Sequence, residues 1–533
     1  MNTQDYIAQL ELKLAFRQID RRQFMRGALA TGMAAGMAGL LADRVEAATP
    51  KKGGSLTAGL GHGATTDTLD PGLTAAGFLI PMTLGMNGFL TEVAPNSDIV
   101  PSLAESWEAS AGATIWTFKL RQGVEFHDGK TVTAEDVVAS INHHRGEGNT
   151  SAAAPLVAGV KDIRIDGPDT IVFELGAGNA DFPAALSDYH IAILPAADGK
   201  IDWQSGVGCG AYKLDSFDPG ISARLSRHGN HWSDAVGHVD EWTLVALVDT
   251  NARTTAALTG DVDVIDKVEL KTAGRLAGNP NLSVHSVAGT QHYSFPMLTN
   301  MAPFDDNNIR QALKWGIRRE ELVEKILFGY GTAGNDHPIG SGQKFFNGDM
   351  EQKSFDPDKA RFYLKEAGLS SLDVELSSSD AAFSGAVDAA LLIQNSAAEC
   401  GINVTVKREP NDGYWTDVWK KKGWCASYWA GRPVEDLMFS LAFKSGVSWN
   451  ESFWSHEKFD SLLAEARAEL DDAKRREMYF EMQEIVANQG GVAIPMFASY
   501  VFATRPSVGT PEVMGSNLDL DGSSFMQRWW KEA

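Results

Sequence analysis

Ser427, Tyr428 and Arg432 sit inside a run of tryptophans, where polar side chains point to recognition as well as packing. The run extends from Tyr414 to Asn450 and is densest over GWCASYWAGRP, Gly423 to Pro433. Trp415, Trp419, Trp424, Trp429, Trp449 and Trp454 lie in it or just beyond, six of the 14 tryptophans in the chain. An indole has a broad apolar face and one N–H donor, so such a cluster builds either core or the lining of a ligand pocket. The Ser427 and Tyr428 hydroxyls can donate and accept, and the planar fork of Arg432 suits a carboxylate or phosphate. Trp415, Ser427, Tyr428, Trp429 and Arg432 are therefore expected to line one wall of a ligand cleft. Trp424 reads as core and Cys425 as a buried thiol. The competing role for Arg432 is an ion pair with Glu435 or Asp436.

Other chemistry-bearing patterns fall away on spacing and order. Ser341-Gly342-Gln343-Lys344, Lys444-Ser445-Gly446 and Ser448-Trp449-Asn450 imitate the elements of a penicillin-binding serine hydrolase. In that mechanism the Ser-x-x-Lys opens a helix and Ser-x-Asn precedes Lys-Ser/Thr-Gly at a distance. Here that order is reversed and Ser341 lies in a Gly-rich loop. The chain has no His-Glu-x-x-His and no Gly-x-Ser-x-Gly. Asn517, Asp519, Asp521 and Gly522 begin like a calcium loop, but its twelfth position is Arg528 where a glutamate must coordinate. Gly59, Gly61 and Gly63 lack the Lys-Ser/Thr of a phosphate loop and read as a turn. His143 and His144 are adjacent on a helix and diverge, so with His127 they read as solvated surface. No enzyme, metal site or cofactor is expected.

A chain of 533 residues exceeds what a single core supports and implies two or three domains. With 44% hydrophobic and 22% charged residues it has the composition of a globular protein, and its net charge of −22 argues against nucleic acid or an anionic membrane as partner. Residues 1–47 read as an export signal: Arg21 and Arg22 precede the uncharged run Gly27–Ala42, and small residues close it at Ala47. The arginine pair followed by Phe24 resembles a twin-arginine signal. Only Cys209, Cys400 and Cys425 are present, too few for a disulfide framework, and none stands at the junction for lipidation. A freely diffusing exported monomer is expected.

The elements that would hold the site alternate between strand and helix. SLTAGL from Ser55, TIWTFKLR from Thr114 and TIVFELG from Thr170 have strand patterning. Asp128-Gly129 reads as a hairpin turn, and Thr133 with Asp136 as a capping box. GVGCGAYKLDSF from Gly206 and QHYSFPMLTN from Gln291 read as crossings between domains. Amphipathic helices are predicted over 305–327 and 459–489, with a βαβ-like unit over 373–407 between them. The fold class is mixed α/β.

Six motifs in fixed order carry a resemblance: TLDP at Thr68, IVPSLAESWE at Ile99, FKLRQGVEFHDGKTVTAEDV at Phe118, GCGAYKL at Gly208, PFDDNNIRQAL at Pro303 and DPDKARFYLKEAG at Asp356. Together they resemble the peptide/opine/nickel class, family 5, of extracytoplasmic solute-binding proteins of ABC importers. The resemblance implies a type II clamshell of three domains. Domain I would comprise 48–92, 203–290 and 496–533, domain II 93–202, and domain III 291–495. It also implies a periplasmic location, a small-molecule ligand, and a membrane permease with its ATPase subunits as partners. In peptide-binding members an aspartate holding the peptide ammonium stands where this chain has Ser427. The missing acid shifts the expectation toward a carboxylate-bearing solute at Arg432, such as an opine, a sugar acid or a metal chelate.

Overall fold

The computed structural model describes residues 21–31, 50–74, 77–146 and 148–532. Most of the expected export signal, 1–47, lies outside these residues; Arg21–Ala30 is a helix. No helix among the described residues is long and apolar enough to cross a membrane. The first strand, β1 (Ser55–Leu60), carries small and aliphatic residues buried on both faces, as expected for a parallel strand inside a covered sheet.

A compact antiparallel unit follows. It contains β2 (Ala104–Ala109), β3 (Ile115–Leu120), β4 (Val160–Ile165) and β5 (Thr170–Leu175), in the order β2-β3-β5-β4. Trp116, Phe118 and Leu120 alternate inward from β3 and meet Phe173 and Phe182. Helix α1 (Ala134–Asn142) starts at the predicted capping box, where Thr133 Oγ1 accepts from Asp136 N and Asp136 Oδ2 accepts from Thr133 N. The Asp128-Gly129 turn closes with Phe126 N donating to Lys130 O, and Gly129 has φ 89°. The solvated histidine surface is not found. His144 is buried against Ser151 Oγ at 2.7 Å, and His143 Nε2 lies 2.8 Å from Asp70 Oδ1. The helix carrying them packs on the unit, which puts one of any two adjacent residues inside. No cluster of three or more His, Cys, Asp or Glu side chains among the described residues could hold a metal.

The main sheet contains β1, then β6 (Tyr212–Asp218), β7 (Ser222–Arg227), β8 (Glu241–Ala246), β9 (Val264–Ile265) and the long β10 (Ser283–Pro296). Past β10 come α2 (Asn307–Trp315) and α3 (Arg319–Lys325). The predicted single helix over 305–327 is thus two, because Gly316 caps α2 and the chain turns to carry Arg319 onto the buried Asp336. Next are β11 (Gly331–Ala333), α4 (Pro357–Glu366), β12 (Leu372–Ser378), α5 (Ala386–Ala398) and β13 (Ile402–Arg408), with β12 and β13 parallel as the βαβ pattern predicts. After these come β14 (Ser427–Trp429), α6 (Glu435–Ala442), α7 (Glu457–Ala468), α8 (Asp472–Gln489) and the long β15 (Val492–Thr504). The helix predicted over 459–489 is also two, since Asp471 accepts from Ala473 N and Lys474 N and so starts α8 afresh. The strand order is β6-β7-β8-β1-β9-β15-β10-β14, with β11 on β15.

The pair β10–β15 runs the length of the molecule, 14 residues against 13. At one end it packs with Leu56, Trp242 and Trp529; at the other its two faces are covered separately. Phe295 and Met496 face Ile309, Leu313 and Ile393, while Ile494 and Phe497 face Phe439, Tyr479 and Trp429. Between these ends the register shifts at Ala288/His292 and again at Tyr293/Phe295. The site lies beside that irregular middle.

Candidate ligand-binding site

β14 is the end strand of the main sheet, so one row of its backbone N–H and C=O groups faces away from the ladder. Its register with β10 places Trp429 opposite His292, Tyr428 opposite Tyr293 and Ser427 opposite Ser294. Strand alternation then divides the five candidate residues. Tyr428 stands out, 42% exposed, with Trp415 beside it at 5.8 Å between rings and 40% exposed. Ser427 and Trp429 point to the opposite face and are buried. Trp429 packs at 5.7 Å from Trp449, and Trp415 at 6.0 Å from Trp419. Trp424 and Cys425 are in the core, and burial pushes the Cys425 thiol well up. All three cysteines are free.

An acid does touch Ser427, from 24 residues later in the chain. Ser427 Oγ donates to Glu451 Oε2 at 2.8 Å, Trp419 Nε1 donates to the same oxygen at 2.8 Å, and Ser294 Oγ donates to Glu451 Oε1 at 3.0 Å. Burial raises the Glu451 pKa above the ordinary carboxylate range, and the Trp419, Ser427, Ser294 and Trp429 donors pull it back. Every donor in this ring is neutral, and no cation lies within ion-pair distance of Glu451 among the described residues. The carboxylate is hydrogen-bonded but its charge is unmatched. Sequence reasoning missed Glu451 because it looked for the acid on the strand itself. The residue lay directly after the Ser448-Trp449-Asn450 motif weighed for a different chemistry.

Arg432 makes neither of the ion pairs proposed for it. Glu435 Oε1 accepts from Phe345 N at 2.7 Å, and Asp436 pairs with Arg467 at 3.2 Å. Arg432 Nη1 instead donates to the carbonyls of Ala430 and Gly431, both at 3.1 Å, and its guanidinium lies 5.9 Å from the Trp429 ring. Burial lowers its pKa, while Tyr189 and Asp188 from the antiparallel unit push it back up. The cation therefore feels the charges of that unit while its Nη1 is tied to its own loop.

Thr290 and Gly431 bring β10 and the β14 loop together so closely that a Cβ on Gly431 would fall 1.6 Å from Thr290 Oγ1. Only glycine fits there. Beyond that contact lie Tyr500, which interacts with Thr290, and Asp519, whose charge acts on Tyr500. Both are half-buried, and burial lifts Asp519 to about 7 and Tyr500 to about 12. Asp519 precedes a left-handed turn through Leu520, Asp521, Gly522 and Ser523. Asp521 fixes that turn by accepting from Gly515 N at 2.6 Å and Trp529 Nε1 at 3.0 Å, so the calcium-loop lookalike is filled by protein donors. Ser341 is exposed outside any helix, and Lys344 is paired with Asp472 at 2.6 Å, which leaves no serine–lysine dyad.

Beside the sheet edge, then, Trp415 and Tyr428 expose their rings, Glu451 is a buried carboxylate behind Ser427, and Arg432 stands in the loop that follows Trp429. Residues 98–451 match the sequence model of bacterial extracellular solute-binding proteins, family 5 Middle. The chain is a family 5 solute-binding protein. It is 25% identical over 406 residues to the glutathione-binding protein GsiB of Escherichia coli (strain K12), covering 72% of this chain and 78% of that one. Its fold resembles that of HbpA2 from Haemophilus parasuis, with TM-score 0.80, 19% identity and coverage of 90% and 100% of the two chains. It also resembles the binding protein AgaA of A. tumefaciens R10, solved in complex with agropinic acid, with TM-score 0.70, 23% identity and coverage of 90% and 99%. In this family 5 protein, the type II clamshell contains the long β10–β15 pair, with the tryptophan-rich β14 beside its middle.

Proposed function

We propose that this family 5 protein is the periplasmic component of a peptide-type ABC importer, and that it captures a peptide-like solute bearing both an amino group and a carboxylate. The observation that carries this reading is Glu451, a buried carboxylate reached by Ser427, Ser294 and Trp419 but by no cation among the described residues. A solute ammonium would complete the pair, and Arg432 would receive a carboxylate in its planar fork. Trp415 and Tyr428 supply apolar wall, with Trp429 packed behind the strand, and the free edge of β14 offers backbone groups to an extended ligand. The acidic-solute reading from Ser427 alone is thereby changed to a solute with both charges. An opine fits this description as well as a short peptide does; a sugar acid without nitrogen does not.

The three-domain division 48–92, 203–290 and 496–533 with 93–202 and 291–495 belongs to the same proposal. It is supported by the β10–β15 pair crossing at 288–293, where the register shifts. Export on a twin-arginine signal, freedom from a lipid anchor, a monomeric state and delivery to an inner-membrane permease complete it. Native mass spectrometry of the purified mature protein, followed by identification of the solute released on denaturation, tests the reading. A solute with both a basic nitrogen and a carboxylate is expected; a solute lacking basic nitrogen overturns it.

A further inference from the structure

Away from Ser427 and Glu451, the antiparallel unit touches the helical end of the molecule through a set of contacts of its own. Asp181 Oδ2 lies 2.5 Å from Arg475 Nη2, and both side chains are nearly buried, at 12% and 7% exposure. Beside them Ala180 N donates to Arg467 O at 2.7 Å, and Ser97 Oγ donates to Gly342 O at 2.6 Å. Gly178 lies against Ala468, whose Cβ is 3.0 Å from where a glycine Cβ would be. Phe345 stacks on Tyr479 at 5.3 Å with the Arg475 guanidinium 5.2 Å from its ring. On the helical side Asp181 also faces Glu435 and Asp436, which are buried at the start of α6. A cavity of about 590 Å³ adjoins this contact, with Asp98, Trp107 and Trp116 on one wall and Lys344, Glu435 and Asp472 on the other.

We propose that Asp181, Arg475, Glu435 and Asp436 form a latch that holds the two lobes together independently of the ligand and takes up protons as it closes. The inference goes beyond solute capture but rests on the clamshell reading, since it requires that these surfaces part. The charges in the contact are the acids Asp181, Glu435 and Asp436 against Arg467, Arg475 and Arg476, with the Tyr479 hydroxyl facing the acids and Lys344 paired to Asp472 at the rim. Burial lifts Glu435 to about 7 and Asp436 to about 6, and the charge of Asp181 adds to both; Arg475 opposes. Opening would move Asp181 away and admit water, so the two acids would return toward ordinary carboxylate behaviour and release protons. The closed form thus binds more protons than the open one. Closure gains as pH falls toward 6 and loses that gain as pH rises through 7, the raised values in the closed form.

The test is small-angle X-ray scattering of the mature protein, freed of solute by unfolding and refolding, at about pH 8 and about pH 6. One proton taken up at a group raised from the ordinary range to about 7 shifts the closed-to-open ratio up to about tenfold between those conditions. A smaller radius of gyration at the lower pH is expected. Asp181→Asn should enlarge the protein and remove the pH response. Glu435→Gln keeps an acceptor for Phe345 N and should leave the protein compact at both pH values. A wild-type radius that ignores pH, or an Asp181→Asn response equal to wild type, overturns the latch. The measurement needs no ligand, so failure of the latch is separable from failure of the solute assignment.

Discussion

Replacing Glu451 by glutamine removes a charge while keeping the shape of the site. The amide oxygen can still accept from Ser427 Oγ and Trp419 Nε1, and the amide nitrogen can donate to Ser294 Oγ, whose hydroxyl also accepts. Stability should therefore change by less than about 1 kcal/mol. Affinity should not survive, because truncating one side of a buried, hydrogen-bonded charge pair costs about 2 to 5 kcal/mol. Glu451→Ala would in addition strand three donors, at about 1 to 3 kcal/mol each, and should lower stability as well as affinity. Isothermal titration with the solute recovered from the protein, together with urea unfolding of each variant, separates the two effects. Unchanged affinity in Glu451→Gln would refute the reasoning and reduce Glu451 to a hub of structural hydrogen bonds. The pH dependence supplies an independent sign. Burial raises the Glu451 pKa, so between the unfolded and folded values the free folded protein holds a proton that the unfolded chain has released. Its contribution to stability is present at low pH and lost as pH rises through the raised value. A solute ammonium favours the charged form, so affinity should fall as pH is lowered through that same value.

Arg432→Ala is expected to weaken binding by about 2 to 5 kcal/mol if the guanidinium meets a solute carboxylate, and an unchanged dissociation constant would leave it only the support of its own loop carbonyls. Trp415→Ala should reduce affinity with little change in the urea midpoint, because the ring is 40% exposed. Trp424→Ala should cost about 3 to 5 kcal/mol of stability, because that ring is 1% exposed in the core. Asp336→Asn should destabilise by about 3 to 5 kcal/mol in urea titration, since it abandons Arg319 at 2.7 Å and Lys353 at 3.4 Å in the interior.

Short-range chemistry in this chain can be read residue by residue. Thr133 and Asp136 are three positions apart, and their hydroxyl and carboxylate reach each other's backbone whatever the rest of the molecule does. The alternation of Trp116, Phe118 and Leu120, the glycine and proline punctuation, and the ordered motifs from Thr68 to Gly368 likewise carry the fold class and the family in linear order. The helix lengths over 305–327 and 459–489 do not follow from periodicity. Apolar spacing continues across Gly316 and Leu470, and only the packing of the flanking segments shows that the chain turns there.

The site divides along the same line. That a tryptophan-rich stretch with Ser427, Tyr428 and Arg432 is unusual was visible in the sequence. Which of its rings face outward was not, because that depends on the register of β14 against β10 and on what covers each face. The pairing of Ser427 with Glu451 is a contact across 24 residues, and the gap between Arg432 and Asp188 is longer still. Charge acts through space while sequence orders residues along a chain. The sequence alone therefore indicated an absent acid, and only the tertiary structure decided that a carboxylate stands there after all.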